Sequence, residues 1–169
     1  MSGALIVTAD LGGADLATLD SLRRAHFPPE RNQLTAHLTL FHALPPSLDG
    51  EVAASLKDEA RGPAPRATLA APYSLGNGVA FRILSHELDD LRERLADRFH
   101  GSLLAQDAHG FRAHVTVQNK VEARVARALL NQLAATHHDQ PLAITALSLH
   151  RYLGGPWQNL GRFAFRGLS

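Results

Sequence analysis

Four positions recur as a phrase. His37-Leu38-Thr39-Leu40 and His114-Val115-Thr116-Val117 each read histidine, aliphatic, threonine, aliphatic. In an extended strand side chains alternate faces, so residues two apart share one face. His37 and Thr39 then point one way with Leu38 and Leu40 behind them. His114 and Thr116 do the same in front of Val115 and Val117. If both strands face one cleft, two imidazoles converge as an acid–base pair. With an unperturbed pKa near 6.5, one imidazole can be neutral and the other charged at neutral pH. The two hydroxyls can donate hydrogen bonds to phosphate oxygens, where charge gathers in the transition state. The chain holds ten histidines, so one such match carries little weight. Two matches, aliphatic at both intervening positions, carry more. The bland alternative is a pair of ordinary half-buried strands.

The rest of the chain must position these residues. At 169 residues it is long enough for one domain with a real core, spanning 1–169. Apolar content of 45% with 20% charge excludes a disordered, highly charged chain. Cysteine is absent, which excludes disulfides, thiolate metal sites and a cysteine nucleophile. No uninterrupted apolar run indicates a membrane span, and MSGALIVTAD lacks the features of a leader, so a cytoplasmic location is expected. A formal net charge of +1 does not attract long polyanions in general. A small nucleotide or an RNA end is the more natural ligand than long duplex. Only Lys57 and Lys120 among the 17 basic residues are lysines, and arginine suits bidentate phosphate contact.

Residues 4–8 read as a buried strand broken by Gly12-Gly13. Leu16, Leu19 and Leu22 predict a helix over 14–26, ended by Pro28-Pro29. The first histidine strand covers 36–43. A helix over 50–60 follows, burying Val52, Ala53 and Leu56. Strands over 66–75 and 79–84 flank Gly76-Asn77-Gly78, a hairpin signal. Ser85 caps a helix over 86–99 striped by Leu88, Leu91, Leu95 and Phe99. A loop over 101–111 leads to the second histidine strand, 112–118. A helix over 121–136 and strands over 142–151 and 162–166 complete the chain, the last two around Gly154-Gly155-Pro156. The order strand, helix, histidine strand, helix, strand thus occurs twice, offset by roughly 70–80 residues. Such a duplication predicts two pseudo-symmetric lobes that set the histidine strands opposite one another.

Two H-x-T-x phrases half a chain apart, in a two-lobed chain of this size, resemble the 2H phosphoesterase superfamily, in its 2′-5′ RNA ligase and cyclic phosphodiesterase branch. The specific part of the resemblance is HLTL and HVTV. The resemblance implies an α+β fold, bilobal and duplicated, with two antiparallel sheets lining a central cleft and helices outside. It implies metal-free chemistry, with no cofactor, on 2′,3′-cyclic phosphates or 2′-5′ phosphodiester linkages. In that chemistry hydrolysis and ligation share the same residues. His37 and His114 match the family's catalytic histidines, and Thr39 and Thr116 its phosphate-binding hydroxyls. Some relatives carry an arginine shortly after the second motif, where this chain has Gln118-Asn119-Lys120, so Lys120 is the substitute to test.

Further candidates follow from strand parity. Phe41 shares parity with His37 and Thr39 and is expected to line the cleft and stack on a base; core packing is its alternative. Arg112 shares parity with His114, and Arg112 or Lys120 could hold phosphate. Tyr152 and Trp157 flank the last turn and could touch a nucleotide. His42 has the opposite parity to His37 and reads as structural, and His137-His138 as a surface loop. A metal enzyme needs several convergent ligands, and neither motif supplies a carboxylate. The expected partners are RNA ends or small nucleotides with a cyclic phosphate, bound by a monomer. The rival reading is a non-catalytic RNA- or nucleotide-binding module on the same fold.

Overall fold

A computed structural model describes residues 3–167. Among them are eight strands and five helices: β1 (Leu5–Leu11), α1 (Gly13–His26), β2 (Leu38–Leu44), α2 (Asp49–Glu59), β3 (Ala67–Ser74), β4 (Val79–Leu84), α3 (His86–Arg98), α4 (Ala105–Ala108), β5 (His114–Gln118), α5 (Ala123–Thr136), β6 (Gln140–Leu142), β7 (Ile144–Tyr152) and β8 (Trp157–Ala164). They form two four-stranded antiparallel sheets, in the orders β2-β1-β7-β8 and β5-β4-β3-β6. The fold is α+β, as expected. Among the described residues no helix is long and apolar enough to cross a membrane.

The duplication is visible in the sheet orders. β2 and β5, the histidine strands, each occupy a sheet edge beside β1 and β4, with β7 and β3 next. The lobes are not contiguous halves of the chain, however. The Gly76–Gly78 turn, closed by a hydrogen bond from Leu75 N to Gly78 O, commits β3 to pair with β4. β3 therefore joins the sheet of the second half, and β7 joins that of the first. This exchange ties the sheets together, and one apolar cluster draws on both, from Leu5, Val7 and Leu38 to Val79, Val115 and Val117.

α3 forms where its sequence dictates. Ser85 Oγ accepts from Leu88 N, Glu87 and Asp89 sit at the positive end of the helix dipole, and Leu88, Leu91 and Leu95 are buried. Three expectations shift. β8 begins at Trp157, five residues before the strand predicted from 162, because Trp157 already pairs with Tyr152 across the turn. The predicted strand over 142–151 breaks at Ala143 into β6 and β7, which belong to different sheets. Part of the predicted loop over 101–111 is the single-turn helix α4.

Both histidine strands carry a β-bulge at the last residue of the motif. Thr8 pairs with Thr39 but Val7 pairs with Phe41, so Leu40 is the extra residue; likewise Ala80 pairs with Thr116 and Val79 with Gln118, so Val117 is extra. Leu40 and Phe41 are consequently both buried, as are Val117 and Gln118. The second bulge needs Gly78. A Cβ there would lie 2.0 Å from the Gln118 carbonyl oxygen, a backbone atom that cannot step aside. Gly78→Ala is expected to destabilise the fold by about 3 kcal/mol, read from denaturant unfolding. A change below about 0.5 kcal/mol would mean that the bulge does not depend on this close approach.

Candidate active site

The edge strands β2 and β5 approach each other, one from each sheet. Their motif side chains meet as the duplication requires. His37, Thr39, His114 and Thr116 line one pocket of about 180 Å³, together with Ile6, His42 and Trp157. The aliphatic partners Leu38, Leu40, Val115 and Val117 are buried behind them.

The two imidazoles are held in the same way. His37 Nδ1 lies 2.7 Å from the Thr35 carbonyl, and His114 Nδ1 lies 2.9 Å from the Arg112 carbonyl. A carbonyl oxygen only accepts, so each Nδ1 carries the hydrogen and donates it. That leaves Nε2 of both rings for proton exchange. Burial of the His37 ring pushes its pKa down to about 4; the bond to Thr35 opposes this, and nearby Arg23, His150 and His114 add to it. His37 Nε2 is therefore an unprotonated acceptor at neutral pH. Trp157 packs edge-on against His37 with ring centroids 4.9 Å apart, which restricts the ring further.

Two buried arginines brace the motif strands across the halves. Arg23 of α1 donates from Nη1 to the Thr116 carbonyl of β5 at 3.2 Å, and from Nε to Asn32 Oδ1 at 2.8 Å. Arg92 of α3 donates from Nε to the Leu40 carbonyl of β2 at 3.0 Å, and from Nη2 to the Asp107 carbonyl at 2.6 Å. Each guanidinium also covers an aromatic face, Phe27 at 4.2 Å and Phe41 at 4.1 Å. Burial lowers the pKa of both, and the nearby carboxylates Asp20 and Asp107 respectively raise it. Arg92→Ala would leave two carbonyls without partners and an empty space over Phe41. It is expected to lower stability by about 3 kcal/mol in denaturant unfolding. A loss under about 1 kcal/mol would show that water replaces the guanidinium there.

A model of the 2′-5′ RNA ligase superfamily matches residues 13–156, a span that contains both motifs. The chain belongs to that superfamily. Solved structures of similar fold accompany this match to the 2′-5′ RNA ligase superfamily. E. coli LigT complexed with 3′-AMP is 19% identical with a TM-score of 0.63, covering 98% of this chain and 99% of that one. A structure described as a phosphoesterase gives the same identity, TM-score and coverage. A Thermus thermophilus protein is 17% identical with a TM-score of 0.61, over 97% of this chain and 98% of that one. A search of curated protein sequences finds no match.

Within this 2′-5′ RNA ligase superfamily fold the other expected site residues divide. Arg112 lies just before β5, is exposed, and lines a second pocket that borders the motif residues. Phe41 does not line the groove. The bulge at Leu40 turns its ring to the core, where it is 0% exposed and meets Phe99 edge-on at 6.2 Å. The same shift corrects the reading of His42, which turns outward and lines both the motif pocket and its neighbour. Lys120, in the turn after β5 with φ of 62°, and Tyr152, at the end of β7, are not among the residues lining these pockets.

Sequence reasoning missed His150. It sits opposite Ile6 across β1 and β7, its Nε2 is 2.9 Å from Thr8 Oγ1, and its ring lies 5.2 Å from Trp157. Burial lowers its pKa, against the nearby Asp10 carboxylate. The available signal was Ser148 and His150 at strand spacing in an apolar run. His37, His150, Trp157, Asn159, Ser148 and Arg162 line a cavity of about 490 Å³ adjoining the motif pocket. That volume suits a nucleoside-sized ligand. Three imidazoles line the motif pocket, yet no group of three or more His, Asp or Glu side chains among the described residues is placed to hold a metal ion.

Proposed function

We propose that this chain is a phosphodiesterase acting on RNA or nucleotide 2′,3′-cyclic phosphates, or on 2′-5′ phosphodiester linkages, by two-histidine acid–base catalysis, with the same site able to run a reversible 2′-5′ ligation in which a 5′-hydroxyl attacks the cyclic phosphate in place of water. The observation that carries this reading is the matched pair of imidazoles. Both are locked through Nδ1 to a carbonyl two residues back, and both face one pocket with two threonine hydroxyls.

His37, neutral through its lowered pKa, takes a proton from water as the water oxygen attacks phosphorus. His114 delivers a proton to the ribose oxygen that leaves, opening the ring to a phosphate monoester. One proton is taken up and one released, so the pair finishes with its charges exchanged. Thr39 and Thr116 donate to the non-bridging oxygens as charge grows on them. Nucleoside binding falls to the larger cavity, where Trp157 offers a ring face and Asn159 and Arg162 offer polar edges.

The test is turnover of 2′,3′-cyclic nucleotides by the purified protein in the presence of a chelator. Formation of 2′- or 3′-monophosphate supports the reading, and the isomer identifies the leaving oxygen. Binding without product would favour the non-catalytic module, and activity only with restored metal would overturn the mechanism. The pH dependence is a second check. Protonation of His37 removes the base, so kcat/KM should hold as pH falls through 6.5 and decline only near pH 4. An acid limb at 6.5 would assign the base to another group.

A further inference from the structure

The motif pocket has neighbours on two sides. It shares His37 and Trp157 with the nucleoside-sized cavity, and Thr39, His42 and His114 with a pocket of about 200 Å³ that also includes Tyr73, Asp107, Phe111 and Arg112. The first cavity lies against β1, β7 and β8, and the second between the β2 edge and the segment preceding β5. The reacting phosphate would thus sit between two binding places.

The second pocket is built around a third histidine. Asp107, 2% exposed, accepts from the backbone N–H groups of His42 and Ala43 at 3.0 and 3.1 Å and faces His42 Nδ1 at 3.0 Å. The carboxylate only accepts, so Nδ1–H donates and Nε2 is the free nitrogen of the His42 ring. In either protonation state that nitrogen meets a ribose-phosphate: it donates to a phosphate oxygen or accepts from a ribose hydroxyl. Asp107 is engaged by three N–H donors, and Arg92 lies beside it, so its charge is largely answered from within. Arg112 is exposed and makes no ion pair among the described residues. Tyr73 sets its ring edge-to-face with His114 at 6.5 Å, and burial raises its pKa, which keeps its hydroxyl a donor.

We infer that His42, Tyr73 and Arg112 form a second nucleotide subsite, which takes the ribose and phosphate of the residue next to the reacting one. The enzyme would then act on the ends of RNA oligonucleotides in preference to mononucleotides. The pocket is too small for a whole nucleoside, so the neighbouring base stays outside and its identity has little effect. This inference rests on the phosphodiester reading of the central site.

The experiment compares kcat/KM for adenosine 2′,3′-cyclic phosphate with that for an adenylate trinucleotide ending in the same cyclic phosphate. Equilibrium binding of the corresponding 3′-phosphate mono- and trinucleotides is measured alongside. Wild type should favour the trinucleotide by about tenfold or more in both readouts, the scale of one charge-assisted hydrogen bond. His42→Gln and Arg112→Gln should each erase most of that ratio. A purely structural role for His42 would lower both substrates together and leave the ratio intact, which would overturn the assignment, as would equal constants for the two ligands in wild type. If neither substrate is turned over but the binding ratio and its loss persist, the catalytic reading fails while the subsite stands. Denaturant unfolding of each variant identifies any loss of fold, and in that case His42→Phe, which keeps a ring without its nitrogens, supplies the ratio.

Discussion

His37→Ala and His114→Ala are each expected to lower kcat/KM on 2′,3′-cyclic nucleotides by about 10²–10⁴-fold, the range for losing a positioned acid or base. The fold should survive either change. Both rings are only half-buried, and what each leaves behind is a single carbonyl, of Thr35 or Arg112, that groove water can reach. The double variant should be little worse than either single one, because the groups act on one transition state as a unit. The roles separate with a phosphodiester whose leaving group is 4-nitrophenolate, which departs without needing a proton. Such a substrate should restore much of the loss in His114→Ala and little of it in His37→Ala, since water must still be deprotonated. Restoration in the opposite variant would exchange the roles of the two histidines. Wild-type rates in either single variant would reduce that histidine to a binding contact.

The parts of this fold legible in the sequence are those set by local patterns. The leucine stripe with its serine cap marked α3, and Gly76-Asn77-Gly78 marked the hairpin between β3 and β4. The repeated phrase marked both groove strands, and the repeated element order anticipated the equivalent sheet positions of β2 and β5. What could not be read depends on partners far along the chain. Alternation placed Phe41 in the groove because it assumes unbroken pairing, yet the bulge opposite Val7 inverts the parity and brings His42 forward in its place. Arg23 and Arg92 look like ordinary surface charges on helices until the carbonyls of Thr116 and Leu40 arrive from the other half. His150 becomes part of the groove only when β7 crosses to pair with β1. α4 is too short to show any helical period.

Thr39→Val and Thr116→Val should each lower kcat by about 10²–10³-fold, the usual effect of removing one donor to a developing oxyanion. Valine keeps the volume and β-branching, so the strands stay paired and only the hydroxyl is lost. Thr39 stands directly opposite Thr8, and Thr116 opposite Ala80, in regular pairing one step before each bulge. Neither hydroxyl has a hydrogen-bond partner among the described residues, so its donor capacity is free for a ligand. Serine at either position should retain most of the rate, since it restores the donor without the methyl group. The division between kcat and KM carries the mechanistic content. A fall mainly in kcat means that the hydroxyls hold the phosphorane-like charge more tightly than the ground-state phosphate. A rise in KM with kcat unchanged would mean uniform binding, and the rate enhancement would then rest on the two imidazoles alone. Equal losses at Thr39 and Thr116 would show that both halves of the duplication contribute alike to one transition state. Unequal losses would show that the two copies have diverged.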